Sequence, residues 1–167
     1  VYPWLTVGQM FAQGQWYGLL GKTPAEHPPG GESAIAWIRD NLPGEAIILE
    51  ASGAADQERY SYSDMSAVSA STGRATVIGW TAHQYQWRAG DGNAYDQIAL
   101  RQQDVVTIYT TTDLNQAREL LNRYKVNYIY IGPMERSLYP VEGIAKLTQL
   151  GQVVFQEGEV QIVEYKP

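Results

Sequence analysis

Three short apolar runs limit what this chain can fold into: AIILE over residues 46–50, ATVIGW over 75–80 and NYIYIG over 127–132. Each is bounded by turn or polar residues and is short enough to be a buried strand. The segments between them carry helical signals. A helix is expected from Glu32 or Ser33 to Asn41, with Ala34, Ile35, Trp37 and Ile38 on its apolar stripe and Pro43-Gly44 as its stop. DMSAVSAST reads as a short helix closed by Gly73. Residues 94–109 and TTDLNQARELLNRYKV read as two longer helices, the second capped by Thr112 or Asp113. A further short helix is expected near 141–148, and VVFQEGEVQIVEY reads as a hairpin turning at Gly158-Glu159. Strands alternating with helices predict an α/β fold: a Rossmann-like, mainly parallel sheet flanked by helices, with the antiparallel hairpin at one edge.

The expected organisation is an N-terminal arm and connector over residues 1–30 and a single α/β domain over 31–167. VYPWLTVGQMFAQGQWYGLL is the most apolar stretch, but Pro3, three glycines and three glutamines interrupt it. It has neither the length of uninterrupted apolar sequence that spans a bilayer nor the basic start of a signal peptide. A juxtamembrane arm is the sharper reading and an arm packed on the domain the blander one.

Net charge is −6, and no basic track is present to displace counterions from nucleic acid, so a nucleic-acid partner is not expected. The chain has no Cys, which removes disulfides, thiolate metal sites and thiol nucleophiles together. Its aromatics are skewed to 12 Tyr and 5 Trp against 2 Phe, types that favour surfaces with one wet end.

Ligands of open α/β sheets bind beyond the carboxyl ends of the parallel strands. The first strand runs into Glu50, the second into Trp80, His83, Gln86, Trp87 and Arg88, and the third into Glu135 and Arg136. Trp80 and Trp87 offer flat faces for a sugar ring, while Gln86, Arg88 and Glu135 could hydrogen-bond hydroxyls or a phosphate. The competing reading is packing, with Arg88 or Arg136 paired to Glu135 or Glu50. A cluster of His83, Arg88, Glu135 and Arg136 at the sheet's carboxyl edge is the expectation that both readings share. Glu50 and Glu135 facing each other as acid and base or nucleophile would make a hydrolase. His83 with the two glutamates would be a hard ligand set, but a lone His is more often structural, and no metal or cofactor is expected. DGNAYD over 91–96 fails as a calcium loop, because Gln102 stands where its last acidic ligand should be.

The order AIAWIRDNLPG, IILEASG, SASTGRATVIGWTAHQYQWRAG, RQQDVVTIYTTTD and LLNRYKVNYIYIGPMER resembles the C-terminal region of the YYY family of polytopic membrane proteins, over residues 31 to 165. The ordered pair GW-x-x-H-x-x-QWR and YIYIGPMER carries the likeness. The resemblance implies a multi-pass parent similar to C-type glycosyltransferases. Its catalytic acids would lie upstream of this segment, and its soluble C-terminal domain would sit on the extracytoplasmic face. It implies Trp80, His83, Gln86, Trp87, Arg88, Glu135 and Arg136 as signature positions, and no catalytic residue in this domain. The implied partners are the parent's own transmembrane portion and a lipid-linked sugar or glycan acceptor. The family has Glu after the motif His, where this chain has Gln84. A purely structural domain that packs on its own membrane portion stays open as the alternative.

Overall fold

A computed structural model describes residues 30–52 and 65–167. The arm predicted over 1–30 therefore lies outside the described residues, Gly30 excepted, as do residues 53–64. The described elements, in order, are α1 (Gly31–Asn41), β1 (Ile47–Leu49), α2 (Ala67–Thr72), β2 (Ala75–Thr76), α3 (Thr81–Trp87), α4 (Gly92–Thr110), α5 (Leu114–Arg123), β3 (Tyr128–Ile131), α6 (Pro133–Leu138), α7 (Val141–Leu147), β4 (Gly151–Glu157) and β5 (Val160–Tyr165). No helix among them is long and apolar enough to cross a membrane.

The five strands form one sheet in the order β2-β1-β3-β5-β4. β1 pairs in parallel with β2 and with β3, while β5 pairs antiparallel with β3 and β4. The sheet is mixed and flanked by helices, with the antiparallel hairpin at one edge as expected, but it is less parallel than expected, because the hairpin contributes as many pairings as the parallel strands. The run 75–80 ladders only at Ala75–Thr76. Val77 and Ile78 are buried in the core without strand pairing, and Gly79 precedes a helix.

Period-two alternation splits the core into two layers. Ile48, Val160 and Ile162 face α1, where Ala34, Ile38 and Leu42 cover them. Leu49, Ile129, Ile131 and Val163 face the other way, into a larger cluster with Val105 and Ile108 of α4, Leu120 and Leu121 of α5, and Ile144 and Leu147 of α7. The central pair β1 and β3 is held at both ends. Asn127 joins their starts: its N–H donates to Ile47 O, and Ile47 N–H donates back to Asn127 Oδ1, both at 2.9 Å.

Two helices that the apolar pattern does not announce flank the candidate site. Pro133 starts α6 at its first turn, and the Glu135 carboxylate reaches back to the amide of the N-cap Gly132, a signature of proline and acid in an opening turn. α3 carries no buried residue at all. The predicted longer helices begin at Asp91 and Asp113, whose carboxylates accept the Asn93 N–H and the Asn115 and Gln116 N–H groups.

α7 lies tight on the end of α4. A Cβ on Gly143 would meet Tyr109 O at 2.1 Å, and buried Lys146 donates to Ile108 O, in the last turn of α4, and to Gly143 O. Gly143→Ala must therefore separate two backbones rather than shift a side chain. Urea unfolding should place the variant about 1–3 kcal/mol below the parent, the usual cost of forcing atoms into a packed core. An unchanged midpoint would mean that α7 is free to move off α4.

Candidate functional site

The strand order reverses at β1, and a ligand crevice would open beyond the carboxyl ends of β1 and β3. Two carboxylates and a tyrosine fill that position. Glu135 accepts Ala51 N–H at 2.8 Å on Oε1 and Gly132 N–H at 2.8 Å on Oε2. Glu50 accepts Val68 N–H at 2.9 Å and Ser69 N–H at 3.0 Å, in the first turn of α2. Each glutamate is only 2% exposed. The Tyr109 hydroxyl donates to Tyr130 O at 2.8 Å, beside Leu49 O at 3.3 Å, and its ring stacks on Tyr139 at 4.7 Å.

Burial dominates the electrostatics of this pair. It pushes the Glu50 carboxyl up to about 7 against the pull of the Ser69 and Val68 hydrogen bonds, with the Glu135 charge adding to the rise. Burial raises Glu135 as well, against its amide partners. Burial likewise drives the Tyr109 hydroxyl well above its ordinary range. Both glutamates are buried and each of their oxygens accepts a backbone amide, an arrangement that holds backbone together rather than one that presents an acid and a base to a substrate.

The remaining polar residues expected at this edge go elsewhere. Arg136 donates to Glu159 O at 2.9 Å and Gln161 Oε1 at 2.8 Å, fixing the tip of the β4–β5 hairpin. Among the described residues no ion pair joins Arg88 or Arg136 to Glu50 or Glu135. Gln86 and Arg88 are exposed at the end of α3. No group of three ionisable ligands among the described residues could hold a metal, so His83, Glu50 and Glu135 are not a ligand set.

Trp80, His83 and Trp87 do come together. Spaced three and four residues apart on one helical face, their rings form a column: Trp80 to His83 at 5.5 Å and tilted, His83 to Trp87 at 5.0 Å and within 6° of parallel. The Trp80 indole N–H donates to Met65 O, tying α3 to the start of α2. The column walls a pocket of about 220 Å³ between α2 and α3. Gly79 and Gln84 complete the wall on the α3 side, and Ser66, Ser69 and Ala70 supply the α2 side. Among the described residues no Asp, Glu, Lys or Arg lines it. Strand-end reasoning does not point to these five residues. Reading TAHQYQW as a helix would have placed Gln84 beside His83, and DMSAVSAST already offers its serines.

Glu50 contributes to this pocket from behind, through the amides of α2. The far end of α2 is held by arginines: Arg39 donates to Ser71 O, and Arg74 donates to Leu42 O at 2.7 Å, at the end of α1. α2 is thereby fixed at both ends, which gives the pocket one rigid wall.

No family model matches the chain, and no curated protein matches it. Among solved structures it is similar to the crystal structure of the C-terminal globular domain of an oligosaccharyltransferase from Archaeoglobus fulgidus. The likeness covers 84% of this chain and 99% of that one, at 15% identity and a TM-score of 0.48. At that score neither a shared fold nor a shared activity follows.

The raised Glu50 gives a signed expectation. The folded chain holds a proton up to about pH 7 that the unfolded chain releases near 4.5, so this group's contribution is full below 4.5 and is lost as pH rises through 7. Glu135 acts in the same direction. Chemical unfolding at pH 5, 6, 7 and 8 should show Glu50→Gln losing less stability across this range than the parent. Parallel curves for the two proteins would mean that Glu50 does not titrate in this window.

Proposed function

We propose that this chain is the extracytoplasmic α/β domain of a multi-pass, glycosyltransferase-like membrane protein of the YYY type. In this reading residues 31–167 form one domain behind a juxtamembrane arm. The domain is not itself catalytic, and its α2–α3 pocket holds a sugar ring from a lipid-linked donor or a glycan acceptor. The sequence order from AIAWIRDNLPG to YIYIGPMER supports the membership. The single observation that carries the binding role is the aromatic column, with Trp87 73% exposed beside a pocket that has serine and glutamine on its walls. An aromatic face against the C–H side of a ring, with neutral hydrogen-bonding groups around it, is the chemistry that sugars need.

A second reading draws on the same exposed Trp87 and on Val141, 76% exposed: large apolar side chains at a surface suit contact with the parent's membrane portion. The two differ in whether a soluble glycan moves the pocket. Titration of glycans into the labelled chain should shift NMR resonances of residues 66–87, and Trp87→Ala should weaken binding several-fold, since one stacked ring is worth about 1 kcal/mol. Shifts scattered over the surface, or equal affinity for both proteins, would leave the membrane-contact reading standing.

The carboxylate geometry adds an expectation for activity. The chain should not hydrolyse aryl glycosides or esters, because Glu50 and Glu135 are sealed in backbone contacts. Turnover abolished by Glu135→Gln, with the fold intact by circular dichroism, would reverse the assignment of that residue.

A further inference from the structure

Serine before a helix normally caps it, its oxygen accepting an N–H from the second or third residue of the first turn. Ser66 stands at this position before α2 and makes no such bond. The amides it would take, Val68 and Ser69, donate to the Glu50 carboxylate instead. The Ser66 backbone is left-handed, at φ 60° and ψ 19°, a region that a residue with a side chain rarely adopts. Its hydroxyl is buried and has no hydrogen-bond partner among the described residues. Neighbouring hydroxyls differ: Ser69 Oγ donates to Ser66 O at 3.1 Å, and Thr72 Oγ1 donates to Val68 O at 2.7 Å.

An unpaired buried hydroxyl and a strained backbone both cost stability, and such costs cluster at functional sites. Ser66 is 3% exposed and forms part of the pocket wall shared with Trp80, His83 and Trp87. A serine side chain has three staggered positions, and contact with a ligand requires one that turns the oxygen toward the pocket. A serine hydroxyl both donates and accepts, which matches the dual character of a sugar hydroxyl. The described walls carry no charged side chain and so give a phosphate or carboxylate no countercharge.

We propose that Ser66 is the hydrogen-bonding anchor of the α2–α3 pocket, taking a ring hydroxyl of a neutral sugar whose C–H face lies on the aromatic column. Glu50 is a positioning residue in this arrangement: it occupies the α2 amides and so leaves the serine oxygen available. The pocket, at about 220 Å³, is smaller than the roughly 300 Å³ and above of drug-sized ligand sites, and it suits one ring rather than an oligosaccharide. The proposal rests on the binding role given to the pocket above, and the test separates the two.

The 167-residue chain, Ser66→Ala, Ser66→Gly and Trp87→Ala are titrated by NMR with methyl glucoside, methyl mannoside and methyl N-acetylglucosaminide, and with glucuronate and glucose 6-phosphate as charged counterparts. Thermal unfolding of each protein is measured alongside. The expected result is localised binding of at least one neutral glycoside, weakened roughly fivefold by Ser66→Ala and by Ser66→Gly, with the charged sugars weaker than the neutral ones. Melting temperature should stay level or rise in both serine variants, because the lost hydroxyl had no partner; the glycine also relieves the left-handed backbone. If the parent binds no sugar, the binding role and the anchor fall together. If Trp87→Ala weakens binding while both serine variants bind as the parent does, the anchor alone is overturned. A lower melting temperature in both serine variants would assign the hydroxyl to the fold and overturn it, and equal or tighter binding of the charged sugars would overturn the neutral specificity.

Discussion

Two buried carboxylates hold the centre of this domain, and much of its geometry follows from where they put their oxygens. A carboxylate taken out of water is costly unless hydrogen bonds replace its hydration. Glu135 commits both oxygens to the amides of Ala51 and Gly132, so it fastens the chain leaving β1 to the chain leaving β3. Glu50 commits both to the first turn of α2. With Asn127 joining the same two strands at their starts, the short β1 is pinned at both ends. Three residues of strand would otherwise offer few ladder bonds to keep its register.

That arrangement also fills, with described residues, the position where a ligand would be expected. The reversal of strand order at β1 is the place where an open α/β sheet normally leaves a crevice. Here Tyr109, fully buried, spans from Leu49 O to Tyr130 O and stacks on Tyr139. A concavity lined by described residues lies one layer out, between two short helices. Its α2 wall is set by Glu50 at one end and by Arg39 and Arg74 at the other. The core carboxylate thus reaches the surface site through backbone, not through its own side chain.

The fold is legible in the sequence where burial imposes a period. The runs at 46–50 and 127–132, the stripe of α1, the Asp113 cap and the Gly158-Glu159 turn all fall where the apolar pattern and turn chemistry put them. The second strand is shorter than its apolar run because Val77 and Ile78 are as buried as strand residues, yet Gly79 hands the chain to α3 instead of to a longer ladder. α3 itself buries nothing fully and so has no apolar stripe to read; its only signature is the aromatic spacing of Trp80, His83 and Trp87. The strand ends point to Glu50 and Glu135, but sequence does not say whether a carboxylate meets amides or solvent, and here both meet amides. Ser66 is hidden by a general rule: a serine before a helix reads as its cap unless another residue has taken the amides.

The neutral character of the described pocket walls bears on how such a site could work. The chain carries a net charge of −6, yet none of the described acids or cations lines the space between α2 and α3. Recognition would come from one stacked face and a few neutral hydrogen bonds, each worth on the order of 1 kcal/mol. A freely diffusing sugar would be held only weakly by such a set. If, as proposed, the domain and its ligand share one membrane, confinement raises the ligand's effective concentration and removes much of the need for intrinsic affinity. Under the proposed reading, weak and neutral recognition is therefore sufficient, since the pocket only has to position a ring already delivered by its anchor and can release it without a strong bond to break.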